Sequence, residues 1–308
     1  MTAAAGPRRI LCVGALTMDT IFRMNRLPSR PGKYLPIDAM EIAEGMASSA
    51  ATSIARLGGE VALWGSLGDD AVGDRALASI ATEGVDCAPV RRVAGVPSGI
   101  AAVLVDGDGE RIIVPYYHPD LWRDPVLPAG LAEGAFAAVL VDVRWPEAAA
   151  MALRAARQAG AFGIFDADVA STDVLEMLAP LASHIVASSP GAALLSGVDL
   201  PDVAAGSMAR RFSAMVVVTA GERGCFWVER GGSAVRHTAA PMVDAVDTTA
   251  AGDVFHGAFA LGLIEGLAGE ALVRFASSAA AVKCTRFGGR LGAPTRAETE
   301  AMLARSYP

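Results

Sequence analysis

The sequence predicts a doubly wound α/β fold, in which a mostly parallel sheet is flanked by helices and carries a small β-sheet lid. Segments that are apolar throughout, instead of alternating, are typical of strands buried on both faces of a parallel sheet. Four such segments stand out: 10–15 (ILCVGA), 137–141 (AAVLV), 161–165 (AFGIF) and 215–219 (MVVVT). Helical periodicity fills the intervals between them, which is the pattern of a doubly wound sheet.

Two segments illustrate that helical periodicity. Pro146 precedes the run EAAAMALRAARQAG, and proline is well suited to the first turn of a helix. Farther along the chain, apolar residues recur at offsets of 0, 3, 4, 7 and 8, which places them on one helical face. These residues are Leu272, Phe275, Ala276, Ala279 and Ala280.

The region 98–117 breaks the alternation of strands and helices. It contains two β-like runs on either side of Asp106-Gly107-Asp108-Gly109, which predicts a hairpin. The segment 19–40 is rich in proline and glycine and poor in helix signals, so it can join this hairpin in a small sheet. We therefore expect one domain over residues 1–308, with a lid formed by roughly 16–42 and 94–120 over the strand ends.

Composition argues against several classes of function. The net charge is −7, whereas a nucleic-acid surface requires a basic stripe. No uninterrupted apolar stretch is long enough to span a bilayer. The N-terminal segment has a basic start and a short apolar run, as a secretion signal does, but the early Asp19 indicates a cytoplasmic protein. The four cysteines lie far apart, with no spacing that suits a metal site or a redox dithiol, and are expected to be reduced.

The stretch VDTTAAGDVFHGAF (246–259) is the main candidate for a functional site. In open α/β sheets, ligands bind beyond the carboxyl ends of the strands, where helix N-termini present free N–H groups. Ala250, Ala251 and Gly252 have little or no side chain, so a phosphate can approach the backbone amides closely. Asp253 could then take a proton from a hydroxyl that attacks a phosphoryl group. The alternative is that Asp253 only caps the helix.

Several motifs together resemble the ribokinase or PfkB family of carbohydrate kinases over essentially the whole chain. They are DTTAAGDVFHGAF (247–259), RLGGEVALWGSLGDDAVGD (56–74), TAGERG (219–224) and GALTMD (14–19). The resemblance implies a ribokinase-like fold and phosphorylation of a sugar hydroxyl by ATP. It also implies an Mg²⁺ ion that bridges the nucleotide phosphates and a lid that pairs two subunits into a homodimer.

The resemblance assigns roles around the reacting hydroxyl. Asp253 matches the catalytic base of the family. Ala250, Ala251 and Gly252 match its anion hole, with AAGD as a variant of the commoner GAGD. Asp19 matches the carboxylate that accepts hydrogen bonds from sugar hydroxyls; otherwise it is a turn residue.

Two further groups of residues acquire roles in the same way. Thr219, Gly221 and Gly224 match the loop that approaches the nucleotide phosphates, although TAGERG alone would more often be an ordinary connection. Asp247 and Thr249 match positions whose oxygens hold a monovalent cation, most often K⁺, in some members. The resemblance therefore implies ATP and Mg²⁺, and it raises K⁺ as a third ligand.

The sugar is suggested by a finer resemblance. The stretches GERIIVPYYHPDLW, VDVRWPEAAA and KCTRFGGRLGAP are most similar to the branch that phosphorylates 6-deoxy-6-sulfofructose at its 1-hydroxyl. A sugar with a permanent anion requires cationic donors opposite the end that reacts. Lys33 and Arg144 are the candidates, with Arg111 and Arg290 as weaker ones. Otherwise, Lys33 is a solvated loop charge and Arg144 pairs with Asp142.

Four places depart from the family pattern. Glu44-Gly45 stands where the family has paired glycines, and Ser49 stands near its sugar-contacting asparagine, so Gly45 and Ser49 are substrate-binding candidates. Pro115 replaces an asparagine of the sulfofructose branch, and residues 188–191 (SSPG) replace an N-x-x-E motif that helps to organise Mg²⁺. The competing hypotheses are a kinase for fructose, another ketohexose or a sugar acid, and a non-catalytic regulator that binds a sugar or a nucleotide.

Overall fold

The computed structural model describes residues 8–107 and 109–308 of the chain. In chain order, the strands are β1 Arg9–Val13, β2 Thr17–Arg23, β3 Asp38–Glu44, β4 Glu60–Trp64, β5 Ser66–Gly68, β6 Arg91–Val93, β7 Ile100–Val105, β8 Arg111–Tyr116, β9 Ala138–Val141, β10 Phe162–Ala167, β11 His184–Ser188, β12 Met215–Thr219, β13 Cys225–Val228 and β14 Arg236–Thr238. The α-helices are α1 Met46–Arg56, α2 Ala71–Ala81, α3 Pro146–Ala159, α4 Thr172–Leu178, α5 Ser189–Ser196, α6 Pro201–Arg211, α7 Ala251–Ile264, α8 Gly269–Cys284 and α9 Arg296–Ser306.

The main sheet has eight strands in the order β14-β13-β12-β11-β10-β9-β1-β4. All neighbouring pairs are parallel except β12 with β13 and β13 with β14. Strand β1 shows why its sequence lacks alternation: Ile10 and Cys12 pack in the core on one face, while Leu11 and Val13 pack in the core on the other. The expected doubly wound α/β architecture is confirmed, and each of the four apolar segments overlaps a strand of the main sheet.

The two helices that illustrated periodicity are also present. Pro146 occupies the first turn of α3, where its missing N–H would have had no partner in any case. The predicted apolar face of α8 is buried against the main core, with Leu272, Phe275 and Ala276 at most 2% exposed.

A second sheet has the strand order β3-β2-β7-β8. Its strands fall within the segments expected to form the lid, apart from Ala43 and Glu44 at the end of β3. Strands β7 and β8 pair in the antiparallel manner of the predicted hairpin; Asp108 of its turn, like residues 1–7, lies outside the described residues. One face of this sheet buries a small cluster that includes Ile21, Ile42 and Val103.

Two further findings concern the described part of the chain. All four cysteines are free. Among residues 8–107 and 109–308, no helix combines the length and the apolar character needed to cross a bilayer.

Candidate active site

The segment before helix α7 forms the centre of the candidate site. Ala250 has φ 60°, a left-handed conformation that a residue with a side chain rarely adopts. The Ala251 amide donates to the Thr248 carbonyl at 3.2 Å. The amides of Gly252 and Asp253 find no acceptor in the described part of the chain. The Gly252 and Asp253 amides are therefore free, among the described residues, to meet an anion at the positive end of the helix.

Asp253 lies in the first turn of α7 with a half-buried side chain. Its carboxylate makes no hydrogen bond to the start of the helix among the described residues, so it is not a cap. Burial raises the pKa of Asp253 well above the usual carboxyl value, and the neighbouring Asp166 and Glu44 carboxylates add to the shift. A carboxylate that holds a proton more tightly than usual is suited to accept one from a substrate.

A buried pair of side chains, His256 and Asp166, lies beneath the first turn of α7. His256 Nδ1 lies 2.6 Å from the Gly252 carbonyl, and Nε2 lies 3.1 Å from the Val186 carbonyl and 3.3 Å from Asp166 Oδ1. Both ring nitrogens of His256 thus lie within hydrogen-bond distance of protein oxygens, and the ring positions the backbone next to the two free amides. Sequence reasoning missed Asp166 and Asp168, although carboxylates just at the end of an apolar strand, in FGIFDAD, are a usable signal.

Asp19 lies in β2, only 8% exposed, on the sheet that borders the site. Its Oδ1 has no hydrogen-bond partner among the described residues, although buried acceptors are normally satisfied. Burial raises the pKa of Asp19 to about 6, opposed by a hydrogen bond from Thr17. A buried carboxylate with one unsatisfied oxygen can accept a hydrogen bond from a sugar hydroxyl.

The start of helix α1 brings a second carboxylate to the site. Ser49 donates its hydroxyl to Glu44 Oε2 at 2.5 Å, and the Arg290 amide donates to Glu44 Oε1 at 2.7 Å. Burial raises the pKa of Glu44 to about 7. Gly45 has φ 120°, and a Cβ there would lie 2.5 Å from the Ala15 carbonyl. The Ser49 hydroxyl therefore hydrogen-bonds the Glu44 carboxylate. Gly45 allows its own backbone to lie close to that of Ala15.

The four cationic candidates differ in their surroundings. Arg290 is 1% exposed and donates to Glu83 Oε1 at 2.8 Å, so its guanidinium is already committed to the protein. Arg144 donates its backbone amide to Asp142 Oδ1 at 2.7 Å, but its guanidinium makes no salt bridge within the described residues. Lys33 is exposed between β2 and β3, and no salt bridge to a described residue involves it. Lys33 and Arg144 thus have no acidic ion-pair partner among the described residues.

The fourth cation, Arg111, joins the small sheet to the anion-hole loop. Its Nη1 donates to Thr248 Oγ1 at 2.6 Å, and that hydroxyl donates to the Gly109 carbonyl at 3.2 Å. The β7–β8 hairpin therefore touches the residue whose carbonyl holds the Ala251 amide.

Tyr117 is a site residue that sequence reasoning missed. Burial, followed by the Asp142 carboxylate, raises the pKa of the Tyr117 phenol, and Asp19 and Asp253 act in the same direction. Its ring packs against Trp122 with 5.4 Å between centroids. The phenol therefore lies near both carboxylates assigned to the sugar, at the end of β8. The stretch GERIIVPYYHPDLW contains Tyr117 but did not single it out, because an aromatic residue after a strand is usually part of the core.

The predicted nucleotide loop lies at the carboxyl end of β12. Thr219 ends the strand, and Gly221 begins a short 3₁₀ turn with φ 58°. Gly224 has φ 82°, and a Cβ there would lie 2.1 Å from the Thr238 carbonyl, so the position admits only glycine. The loop is thus held close to β14, on the same edge of the sheet as Asp166.

The predicted monovalent-cation position contains a lysine. Lys283 Nζ donates to the Asp247 carbonyl at 2.7 Å, to Asp247 Oδ2 at 3.0 Å and to the Arg286 carbonyl at 3.1 Å. Burial lowers the pKa of Lys283, and the Asp247 carboxylate opposes that shift. The Asp247 Oδ1 atom accepts the Thr249 amide at 2.8 Å. These residues do not offer K⁺ a vacant set of oxygens.

Comparison with known proteins places this chain in a family. Residues 7–296 match the model of the pfkB family carbohydrate kinases. A solved structure from Agrobacterium tumefaciens, provisionally assigned as a ribokinase, is 45% identical with a TM-score of 0.93, covering 97% of this chain and 98% of that one.

Two curated relatives agree with this placement. A Bacillus subtilis ribokinase is 27% identical over 298 residues, covering 96% of this chain and 100% of its own length. A Klebsiella pneumoniae fructokinase is 31% identical over 264 residues, covering 80% and 82%. The fold is thus ribokinase-like, and the chain belongs to the pfkB family of carbohydrate kinases.

Proposed function

We propose that the protein transfers the γ-phosphoryl group of ATP to a primary hydroxyl of a neutral, ketose-type sugar. The observation that carries the proposal is the Asp253 carboxylate: it has a raised pKa and no protein hydrogen bond in the described chain, and it stands beside two free amides at a helix start. Proton acceptance and anion stabilisation are the two things that phosphoryl transfer from ATP to an alcohol requires.

In this mechanism, Asp253 accepts the proton of the sugar hydroxyl as the hydroxyl oxygen attacks the γ-phosphorus in line. The bond between the γ-phosphorus and the β,γ-bridging oxygen breaks, and ADP leaves. The Gly252 and Asp253 amides stabilise charge on the group in transfer. Asp19 orients the sugar by accepting hydrogen bonds at its otherwise unsatisfied oxygen. His256 holds the Gly252 carbonyl, and thereby the first turn of α7, in place.

Magnesium fits the site if the nucleotide supplies most of its ligands. No cluster of three metal-ligating side chains occurs among the described residues, but Mg²⁺ usually binds one or two carboxylates plus phosphate oxygens and water. Asp166 and Asp168, at the end of β10, would be those carboxylates; Asp168 is oriented by the Ser188 hydroxyl at 2.7 Å. When bound, the ion would neutralise charge on the β- and γ-phosphates.

A neutral sugar is favoured by the charges that surround the hydroxyl. Burial raises the pKa values of Asp19, Glu44 and Asp253. Neighbouring carboxylates raise the pKa values of Glu44 and Asp253 further. A further anion close to these groups would be repelled. Fructose or another ketohexose satisfies Asp19 with hydroxyl donors and adds no charge.

A second candidate is 6-deoxy-6-sulfofructose, phosphorylated at its 1-hydroxyl. The unpaired charges of Lys33 and Arg144 favour it, since a sulfonate requires cationic donors. If this sugar is the substrate, Lys33→Ala and Arg144→Ala should each lower kcat/KM for sulfofructose while leaving that for fructose unchanged.

An ATP-consumption assay over a panel of fructose, ribose and sulfofructose tests the proposal. Turnover that is highest with a neutral sugar and absent in Asp253→Asn supports it. Higher kcat/KM with sulfofructose selects the second candidate. If no sugar is phosphorylated although ATP and a sugar bind, the chain is a regulator on a kinase fold and the proposed activity is wrong.

The proposal extends to assembly and location. Strand β8 exposes Ile112, Ile113, Val114 and Tyr116, each 39–61% accessible, and an exposed apolar edge strand favours pairing with another copy. We propose a homodimer through the lid in the cytoplasm. Light scattering should give twice the chain mass, and Val114→Lys should give the monomer.

A further inference from the structure

The buried lysine at the expected K⁺ position is saturated with hydrogen bonds. Lys283 Nζ has three oxygen neighbours, at 2.7, 3.0 and 3.1 Å, and the side chain is 0% exposed. A protonated lysine has three donors, whereas a neutral amine has two. The geometry is therefore that of an ammonium ion, with each N–H directed at an oxygen.

The Asp247 carboxylate next to this ammonium accepts several further hydrogen bonds. Asp247 Oδ2 also accepts the Gly288 and Gly289 amides at 3.0 and 3.1 Å. Asp247 Oδ1 accepts the Thr249 amide, while Thr249 Oγ1 is buried without a partner in the described residues. One unsatisfied hydroxyl is too little for a cation that requires several oxygens, and a second positive charge next to Lys283 would be repelled.

The use of lysine here contrasts with the rest of the sequence. Of the 26 basic residues, 24 are arginine and only Lys33 and Lys283 are lysine. The planar guanidinium presents a fork of donors, whereas the ammonium is a compact point charge. A position enclosed by a carboxylate and two carbonyl oxygens suits the compact charge, as it would suit a spherical metal cation.

The ammonium also joins the two segments that enclose the anion hole. Asp247 lies three residues before Ala250, and Arg286 belongs to the loop that follows α8. The Val246 amide donates to the Cys284 carbonyl at 2.8 Å. The ammonium therefore fixes the segment that leads into Gly252 and Asp253, as a bound cation would.

We propose that the Lys283 ammonium is a covalently attached replacement for the monovalent cation, so that this kinase neither binds nor requires K⁺. The inference concerns the site of the proposed function, but its structural part can be tested without turnover. Wild-type Tm should be equal in KCl and in tetramethylammonium chloride of the same ionic strength. Crystals soaked in thallium(I) acetate should show no anomalous peak within 4 Å of Asp247.

Two variants separate charge from volume. Lys283→Ala leaves a cavity lined by oxygens, whereas Lys283→Met fills the space without a charge. Each should lower Tm by about 5 °C or more, because a buried ion pair has lost one partner. Only Lys283→Ala should regain Tm in KCl and show a thallium peak; any kinase activity it loses should return with K⁺ in the same way.

A matched control distinguishes cation binding from general salt effects. Met208→Ala makes a cavity in α6, in the core on the opposite face of the sheet, and should lower Tm equally in both salts. A wild-type protein whose Tm or thallium density responds to the cation overturns the inference. So does a Lys283→Ala variant as stable as the wild type in tetramethylammonium. If neither variant folds, the wild-type measurements alone decide; absence of sugar turnover would affect only the proposed function.

Discussion

Replacement of Glu44 by glutamine should stabilise the protein at alkaline pH and leave it unchanged at acid pH. Glu44 is 4% exposed, and burial raises its pKa from 4.5 to about 7. Because the folded state binds this proton more tightly than the unfolded chain does, the group stabilises the fold fully below pH 4.5. That contribution is lost as the pH rises through about 7.

The magnitude follows from the size of the shift. A change of roughly 2.5 pKa units corresponds to about 3 kcal/mol of unfolding free energy. Glutamine is neutral at every pH and retains an oxygen for the Arg290 amide and a polar group for Ser49. At about 2.1 cal/mol/K per residue, a chain of 308 residues gains about 5 °C in Tm from that amount.

Differential scanning calorimetry at pH 5 and pH 8 measures this effect. The Tm of Glu44→Gln should exceed that of the wild type by about 5 °C at pH 8 and by little at pH 5. Glu83→Gln is the matched control, and at pH 8 its Tm should fall below that of the wild type instead of rising above it. Burial raises the pKa of Glu83, but hydrogen bonds and charge from Arg56 and Arg290 lower that pKa overall. An equal shift at both pH values, or a lower Tm at pH 8, would refute the reasoning.

Three other substitutions test separate parts of the site. Ala250→Gly removes the backbone strain that the positive φ of Ala250 causes, so Tm should rise by about 1–2 °C with kinase activity retained. A fall in Tm would show that Ala250 is not strained. Gly45→Ala places a Cβ 2.5 Å from the Ala15 carbonyl and should lower the unfolding free energy by at least about 2 kcal/mol, measured in urea; an unchanged midpoint would show that the backbones are not in contact. Asp19→Asn should raise the sugar KM about tenfold or more and change kcat little, and the wild-type KM should itself rise as the pH falls through about 6 and Asp19 takes up a proton. A KM for the variant equal to that of the wild type would remove Asp19 from the sugar site.

The sequence was sufficient for the architecture because buried parallel strands have a composition of their own. The segments around Ile10, Val139, Ile164 and Val217 are apolar in both side-chain directions, since helices cover both faces of the sheet. The hairpin after Ser98 was visible from its turn residues. The short β5–β6 pair was not, because three-residue strands carry no periodicity.

The sequence predicted those parts of the site that lie within a local motif, but not the contacts between distant segments. The anion-hole segment can be read from its small residues, but whether its amides are free depends on Thr248, whose carbonyl holds one of them. The place of Lys283 depends on a contact across 36 residues, and the buried state of Arg290 depends on Glu83, 207 residues away. Such contacts arise from tertiary packing and leave no spacing in the sequence.

The most direct test of the account is the steady-state rate of Asp253→Asn with the preferred sugar and ATP. General-base catalysis contributes on the order of 10²–10⁴-fold, and asparagine keeps the shape of the side chain but cannot take up the proton. We expect kcat to fall by that factor while the sugar KM stays within about threefold, because Asp19 and the backbone still bind the substrate. A variant that retains more than about one tenth of the wild-type kcat would show that the proton leaves by another route, and the assignment of Asp253 would be wrong.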